Sequence, residues 1–181
     1  MFSLKNAFIK KAAITGLGMV LLTGLLLFSC SNPANGTAPS DPEAAYIEAD
    51  IPADLIGTWV GTEYGDEYTI TATTFAAEGA YTGTIESHRS NGNAGYITIK
   101  YTENEYNPSV VGNYYVIHYK DLDFSSDPMS VSIAGAAFYD PDNLDDPYGS
   151  NGKATLGEAE TEYTVTGGYF EWYSYCEKDD E

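Results

Sequence analysis

From about Leu55 onward the chain runs in short stretches where apolar and polar side chains alternate, and that two-residue period restricts it to half-buried β-strands. Successive side chains of an extended strand point to opposite faces, so each such stretch has one face for a core and one for water. Strands are expected over residues 56–62, 67–76, 80–87, 95–102, 113–120, 130–139 and 169–177. Over 67–76, Tyr68, Ile70 and Ala72 share one face, and Thr69, Thr71 and Thr73 the other. Ile97, Ile99 and Tyr101 oppose Tyr96, Thr98 and Lys100. Tyr115, Ile117 and Tyr119 oppose Tyr114, Val116 and His118. A turn is expected at Ser90-Asn91-Gly92-Asn93. The small residues Ala134, Gly135, Ala136 and Ala137 suit a tight corner or a close neighbour. One helix is expected from the capping-box sequence Thr155-Leu156-Gly157-Glu158, with Leu156, Ala159 and Tyr163 at helical spacing and Gly167-Gly168 to end it. The fold class is therefore mainly β: an antiparallel up-and-down meander of about 7–8 strands, closed into a barrel so that no edge is exposed, with one short helix on its C-terminal side. A β-sandwich is the main alternative.

The first 54 residues read differently. Lys5, Lys10 and Lys11 precede an uncharged stretch over 12–28, which ends at the small residue Ser29. That order is an export signal, and the stretch falls short of the roughly 20 apolar residues a spanning helix needs. Leu27-Phe28-Ser29-Cys30 resembles the bacterial lipobox. The resemblance implies that residues 1–29 are a signal peptide and that Cys30 becomes the lipidated first residue, carrying a diacylglycerol and acyl chains such as palmitate. It further implies anchoring to a membrane of the cell envelope. Ser31, where an Asp would retain such proteins in the inner membrane, favours the outer membrane. Residues 30–53 hold four Pro and few large apolar groups, the composition of a flexible tether. The domain itself is expected over 54–181.

Charge narrows the partners. Eight Lys and Arg stand against 27 Asp and Glu, a net charge of −19, and loss of the three signal lysines takes it to −22. Nucleic acid and anionic headgroups are excluded, because both need clustered cations. The two cysteines rule out a disulfide-dense scaffold. With Cys30 lipidated, Cys176 is expected as a small buried residue of the last strand.

Gly57-Thr58-Trp59, at the start of the first strand, resembles the Gly-x-Trp of lipocalin-like (calycin) barrels. There the Trp packs across the closed bottom of the barrel. The helix-then-strand order over 155–176 is similar to a late calycin feature. The whole layout looks like that of small spirochaete lipoproteins with calycin-like domains of unassigned function. The resemblance implies a fold and a location, not an activity.

Little catalytic chemistry is visible. His88 and His118 are the only histidines and sit in no metal-ligand spacing. Asp140, Asp142 and Asp145 in an acidic loop are weak calcium candidates without EF-hand spacing. No nucleophile elbow, P-loop or dinucleotide fingerprint occurs, so a non-enzymatic protein without cofactor is expected. The 16 tyrosines stand out. Tyr pairs an apolar ring with a hydroxyl, which suits ligand or partner contact as well as a β core. Two functions follow. The first is a small apolar or amphipathic ligand held in the barrel by Trp59, Tyr68, Ile70, Ile97, Ile99, Tyr115, Ile117 and Tyr119. The alternative is a surface that binds a host or envelope partner through exposed Tyr and acidic residues. A hollow interior favours the first and a filled one the second.

Overall fold

The structure is a computed structural model that describes residues 42–138, 142 and 151–179. The signal segment and Cys30 lie outside the described residues. Among the described residues nine strands form: β1 (Ile47–Glu48), β2 (Gly57–Gly61), β3 (Glu67–Ile70), β4 (Thr74–Ala77), β5 (Tyr81–Asn91), β6 (Ala94–Asn104), β7 (Tyr114–Asp123), β8 (Ser130–Gly135) and β9 (Ser174–Asp179). One α-helix, α1 (Leu156–Glu162), precedes β9. Strands β2 to β9 pair each with the next, all antiparallel, and β9 returns to β2. The result is a closed eight-stranded up-and-down barrel, compatible with a calycin-like fold. Closure leaves no strand edge among these eight unpaired along its whole length.

Three local readings shift. The stretch 67–76 is two strands, not one. Thr71 breaks it: its hydroxyl accepts from the Thr73 amide (3.2 Å) and the Thr74 amide (2.9 Å), while the Thr71 amide donates to the Thr74 carbonyl (2.9 Å). A threonine hydroxyl that replaces a ladder acceptor in this way turns the chain, so Ala72 belongs to the turn and not to a strand face. The last strand is displaced. Residues 169–173 lie alongside the barrel, and the strand runs on past its expected end at 177, with Glu177, Lys178 and Asp179 paired with Val60, Trp59 and Thr58. The tether expected over 30–53 is laid on the domain in its described part. β1 pairs with β5 at Ser90 and Arg89, beyond the stretch 81–84 that β4 occupies.

The helix forms as its sequence dictates. The Thr155 hydroxyl accepts from the Glu158 amide, and the Glu158 carboxylate accepts from the Thr155 amide, a complete capping box. It ends at Glu162, ahead of Gly167.

Trp59 is fully buried, and its indole N–H donates to the Leu55 carbonyl at 2.9 Å. Leu55 is buried with it, closing the barrel end at which β2 begins. Gly57 sits at φ +146° with the Lys178 side chain beside it, where a Cβ would come to 2.7 Å from Lys178 Cε. The Gly of the Gly-x-Trp is required by its backbone angle, since the flexible end of Lys178 can move aside from a Cβ.

Candidate functional site

The eight residues expected to line a pocket are brought together on the inner face. Register sets Ile97 against Ile117, Ile99 against Tyr115 and Trp59 against Tyr68. All belong to one core: Tyr68 is half-buried and the other seven are buried. Further rings of the barrel pack against them and against one another. Tyr101 stacks on Tyr115 at 5.2 Å, and Tyr81 meets both edge-on at 5.5 and 5.4 Å. Phe75 stacks on Tyr81 at 6.1 Å, and Tyr68 tilts against Phe75 at 6.0 Å. Such aromatic pairs each contribute about 0.5–1.5 kcal/mol beyond area burial. Glycines make the room: a Cβ on Gly95 would lie 2.5 Å from the Tyr119 hydroxyl, and one on Gly135 2.5 Å from that of Tyr115. Phe75, Tyr81 and Tyr101 belong to the same cluster. Tyr101 was legible as a member of the alternating face, whereas Tyr81 stood in an expected strand without an assigned face and Phe75 was hidden by the unread turn at Thr71. Burial raises the phenol pKa of Tyr81 and Tyr115, so both stay protonated.

The outer faces of β6, β7 and β8 are buried as well. Tyr96, Thr98, Val116, His118, Ser132 and Ala134 all lie under a second layer. That layer comes from α1, from the chain after it and from the segment before β1. Phe170 packs on Tyr96 and His118 at 5.8 and 5.4 Å. The Glu160 carboxylate of α1 accepts from Ser87 and from Thr98. The tyrosines on both faces of β6 and β7 therefore serve two cores, and their outer set is neither a pocket nor an open surface.

Both histidines are satisfied. His118 shares hydrogen bonds with the Tyr173 hydroxyl (2.8 Å) and the Tyr46 hydroxyl (3.3 Å). Burial first, then Lys120, pulls its pKa down to about 4. His88 Nδ1–H donates to the Ala49 carbonyl at 3.0 Å, which leaves Nε2 to accept from the Tyr119 hydroxyl at 3.0 Å. No group of three His, Cys, Asp or Glu able to hold a metal is found among the described residues. Asp140 and Asp145 lie outside those residues, while Asp142 lies within them. Cys176 is buried, its Sγ–H donating to the Ser174 carbonyl at 3.4 Å. Burial, then Asp66, pushes the thiol up to about 12, which suits a structural residue and not a nucleophile.

One end of the barrel differs from the other. The β2–β3, β4–β5 and β6–β7 connections meet at the same end by topology. Tyr64 (78% exposed) and Tyr106 (83%) stand on two of them, and Tyr175 opens β9 beside the first. The Thr62 amide donates to the Tyr175 carbonyl at 2.9 Å, which ties these two elements together. Between β3, β4, β5 and the end of β6 lies a groove of about 270 Å³, lined by Glu67, Glu78, Glu103 and Glu105 among small residues. A hydrogen bond with Glu78 and its charge raise the Glu67 carboxyl. These glutamates are scattered over 39 positions of sequence, so only the meander assembles them. No family model matches the chain, and no curated protein or solved structure matches it.

Proposed function

We propose that this chain is a non-enzymatic lipoprotein of the cell envelope, anchored through Cys30, whose filled barrel is a rigid support for a partner-binding end. The observation that carries this reading is a contrast. The interior is taken up by the protein's own rings, while exposed tyrosines and a four-carboxylate groove collect at the β2–β3 end. The partner is a basic polypeptide. Lys and Arg pair with carboxylates and also stack on Tyr faces, and the net charge, −19 for the full chain and −22 without the three signal lysines, steers such a partner at a distance.

The test is a titration with deca-arginine at two salt concentrations, on wild type and on a Glu103→Gln/Glu105→Gln/Tyr106→Ala variant. Binding at least about tenfold weaker in the variant, and weaker again at high salt, is the expected result. Equal binding by both proteins overturns the reading. Native mass spectrometry of the domain from its own host covers the interior: a retained apolar ligand would return the site to the barrel. Loss of a metabolic palmitate label in Cys30→Ser checks the anchor.

A further inference from the structure

The only two histidines of the chain lie under the same segment, residues 43–50. At its start the Glu43 carboxylate accepts from the Thr166 amide and hydroxyl, both at a long 3.4 Å. Ile47 and Glu48 pair with Ser90 and Arg89, a two-residue ladder. The Ala49 amide donates to the His88 carbonyl at 3.1 Å, and the Ala49 carbonyl accepts from the His88 ring. Tyr46 packs edge-on against Tyr96 at 4.7 Å and reaches His118 with its hydroxyl. Ile47 points outward, 68% exposed, and Glu48, Ala49 and Asp50 are exposed too. A stretch tied down by a two-residue ladder, one packed ring and long hydrogen bonds on Glu43 belongs to the less stable part of a fold and opens before the barrel does.

We propose that residues 43–50 are a releasable strap over β5, β6 and β7, with His88 as its anchor and His118 as its acid-sensitive catch. The two histidines differ in their surroundings. Asp50 of the strap and Tyr119 of β7 face His88, and burial lowers its pKa against the opposing pull of the Ala49 carbonyl and Asp50. Strap contacts therefore tolerate a charge there. Around His118 stand Tyr46 of the strap, Tyr96 of β6, Tyr173 and Phe170 of the chain before β9, and Lys120 of its own strand. Glu43 of the strap acts on Tyr46 and Tyr96, and Arg89 lies over Tyr96 at 5.1 Å. Among the described residues, the groups bonded to or packed on His118 are aromatic and none is a carboxylate, and Lys120 opposes a second positive charge.

The sign follows. His118 is neutral when covered, with its pKa held at about 4 instead of 6.5. Opening the strap admits water and favours the charged ring. Closure is at full strength above pH 6.5 and weakens as the pH falls towards about 4, by up to tenfold per pH unit. Release bares the side of Tyr96 and His118 that Tyr46 covers, while Phe170 and Tyr173 stay in place on the other side.

Amide hydrogen exchange of the full chain tests the strap. The Ala49 amide is read against the Ile99 amide of β6 in the same sample. At pH 5 its protection relative to Ile99 is expected to fall about tenfold or more below the pH 7 value. In His118→Gln that pH dependence flattens. In Tyr46→Ala, Ala49 loses protection already at pH 7 while Ile99 keeps its own. An Ala49 amide as protected at pH 5 as at pH 7, an undiminished acid loss in His118→Gln, or unchanged protection in Tyr46→Ala overturns the proposal.

Discussion

Strands β3 and β4 and strands β6 and β7 share one inner core but meet opposite fates on the outside. On β3 and β4 the outward residues Glu67, Thr69, Thr74 and Ala76 are half-buried or exposed. On β6 and β7 the outward residues Tyr96, Thr98, Val116 and His118 are buried. Each strand alternates, but only the second pair is roofed, by α1, by Phe170 and by the strap. The difference teaches that a barrel strand with two apolar faces does not imply a ligand or a partner. Here the chain's own N-terminal and C-terminal stretches supply the cover.

The inner core is common to both regions, and Cys176 reports on it with the largest expected effect. In a Cys30→Ser chain the buried thiol ionises at about 12 instead of 9, so its thiolate is roughly a thousandfold scarcer at pH 8. A thiol reagent is expected to label it at the rate of unfolding, and rapid labelling of native protein would mean an open barrel. The folded state favours the neutral thiol. That stabilisation is full below pH 9 and declines as the pH rises towards 12.

The roof comes next. Phe170→Ala removes a buried ring from Tyr96 and His118 and is expected to cost about 3–5 kcal/mol in denaturant unfolding. Thr84→Ala, on an exposed outward position of β5, is expected to cost under about 1 kcal/mol. Equal costs would break the comparison. Gly95→Ala drives a methyl group into Tyr119 and is expected to lower stability by about 1–3 kcal/mol. Gly157→Ala in α1 meets nothing within 4 Å and is expected to raise it, by up to about 1 kcal/mol. Thr155→Ala removes the capping box of the roof helix at a cost of about 1 kcal/mol, visible as a small shift in the unfolding midpoint.

The alternation at Ile97, Ile99, Tyr115 and Ile117 was enough to place the inner face, because a pleated strand has only two faces and these residues share one. Gly-x-Trp was enough to place the start of the barrel. Thr71 was misread because strand propensity favours threonine, whereas here its hydroxyl makes a turn. The strap was misread because composition describes a segment alone, and Tyr46 gains its place only from Tyr96 and His118. The acidic groove was beyond reach, since Glu67, Glu78, Glu103 and Glu105 approach one another only when β3 to β6 are laid side by side.

The sequence by itself determined what is local and periodic: the strand period, the capping box, the Gly at a left-handed angle before Trp59, and the export-like start. These depend on backbone sterics and on neighbours a few residues apart. Tertiary structure alone decided which rings meet in the inner core, which outer face is roofed and where the carboxylates collect. Those outcomes depend on contacts between residues tens of positions apart, such as Tyr46 with His118 and Glu160 with Ser87. Burial there is a property of both partners, and neither segment carries it in its own residues.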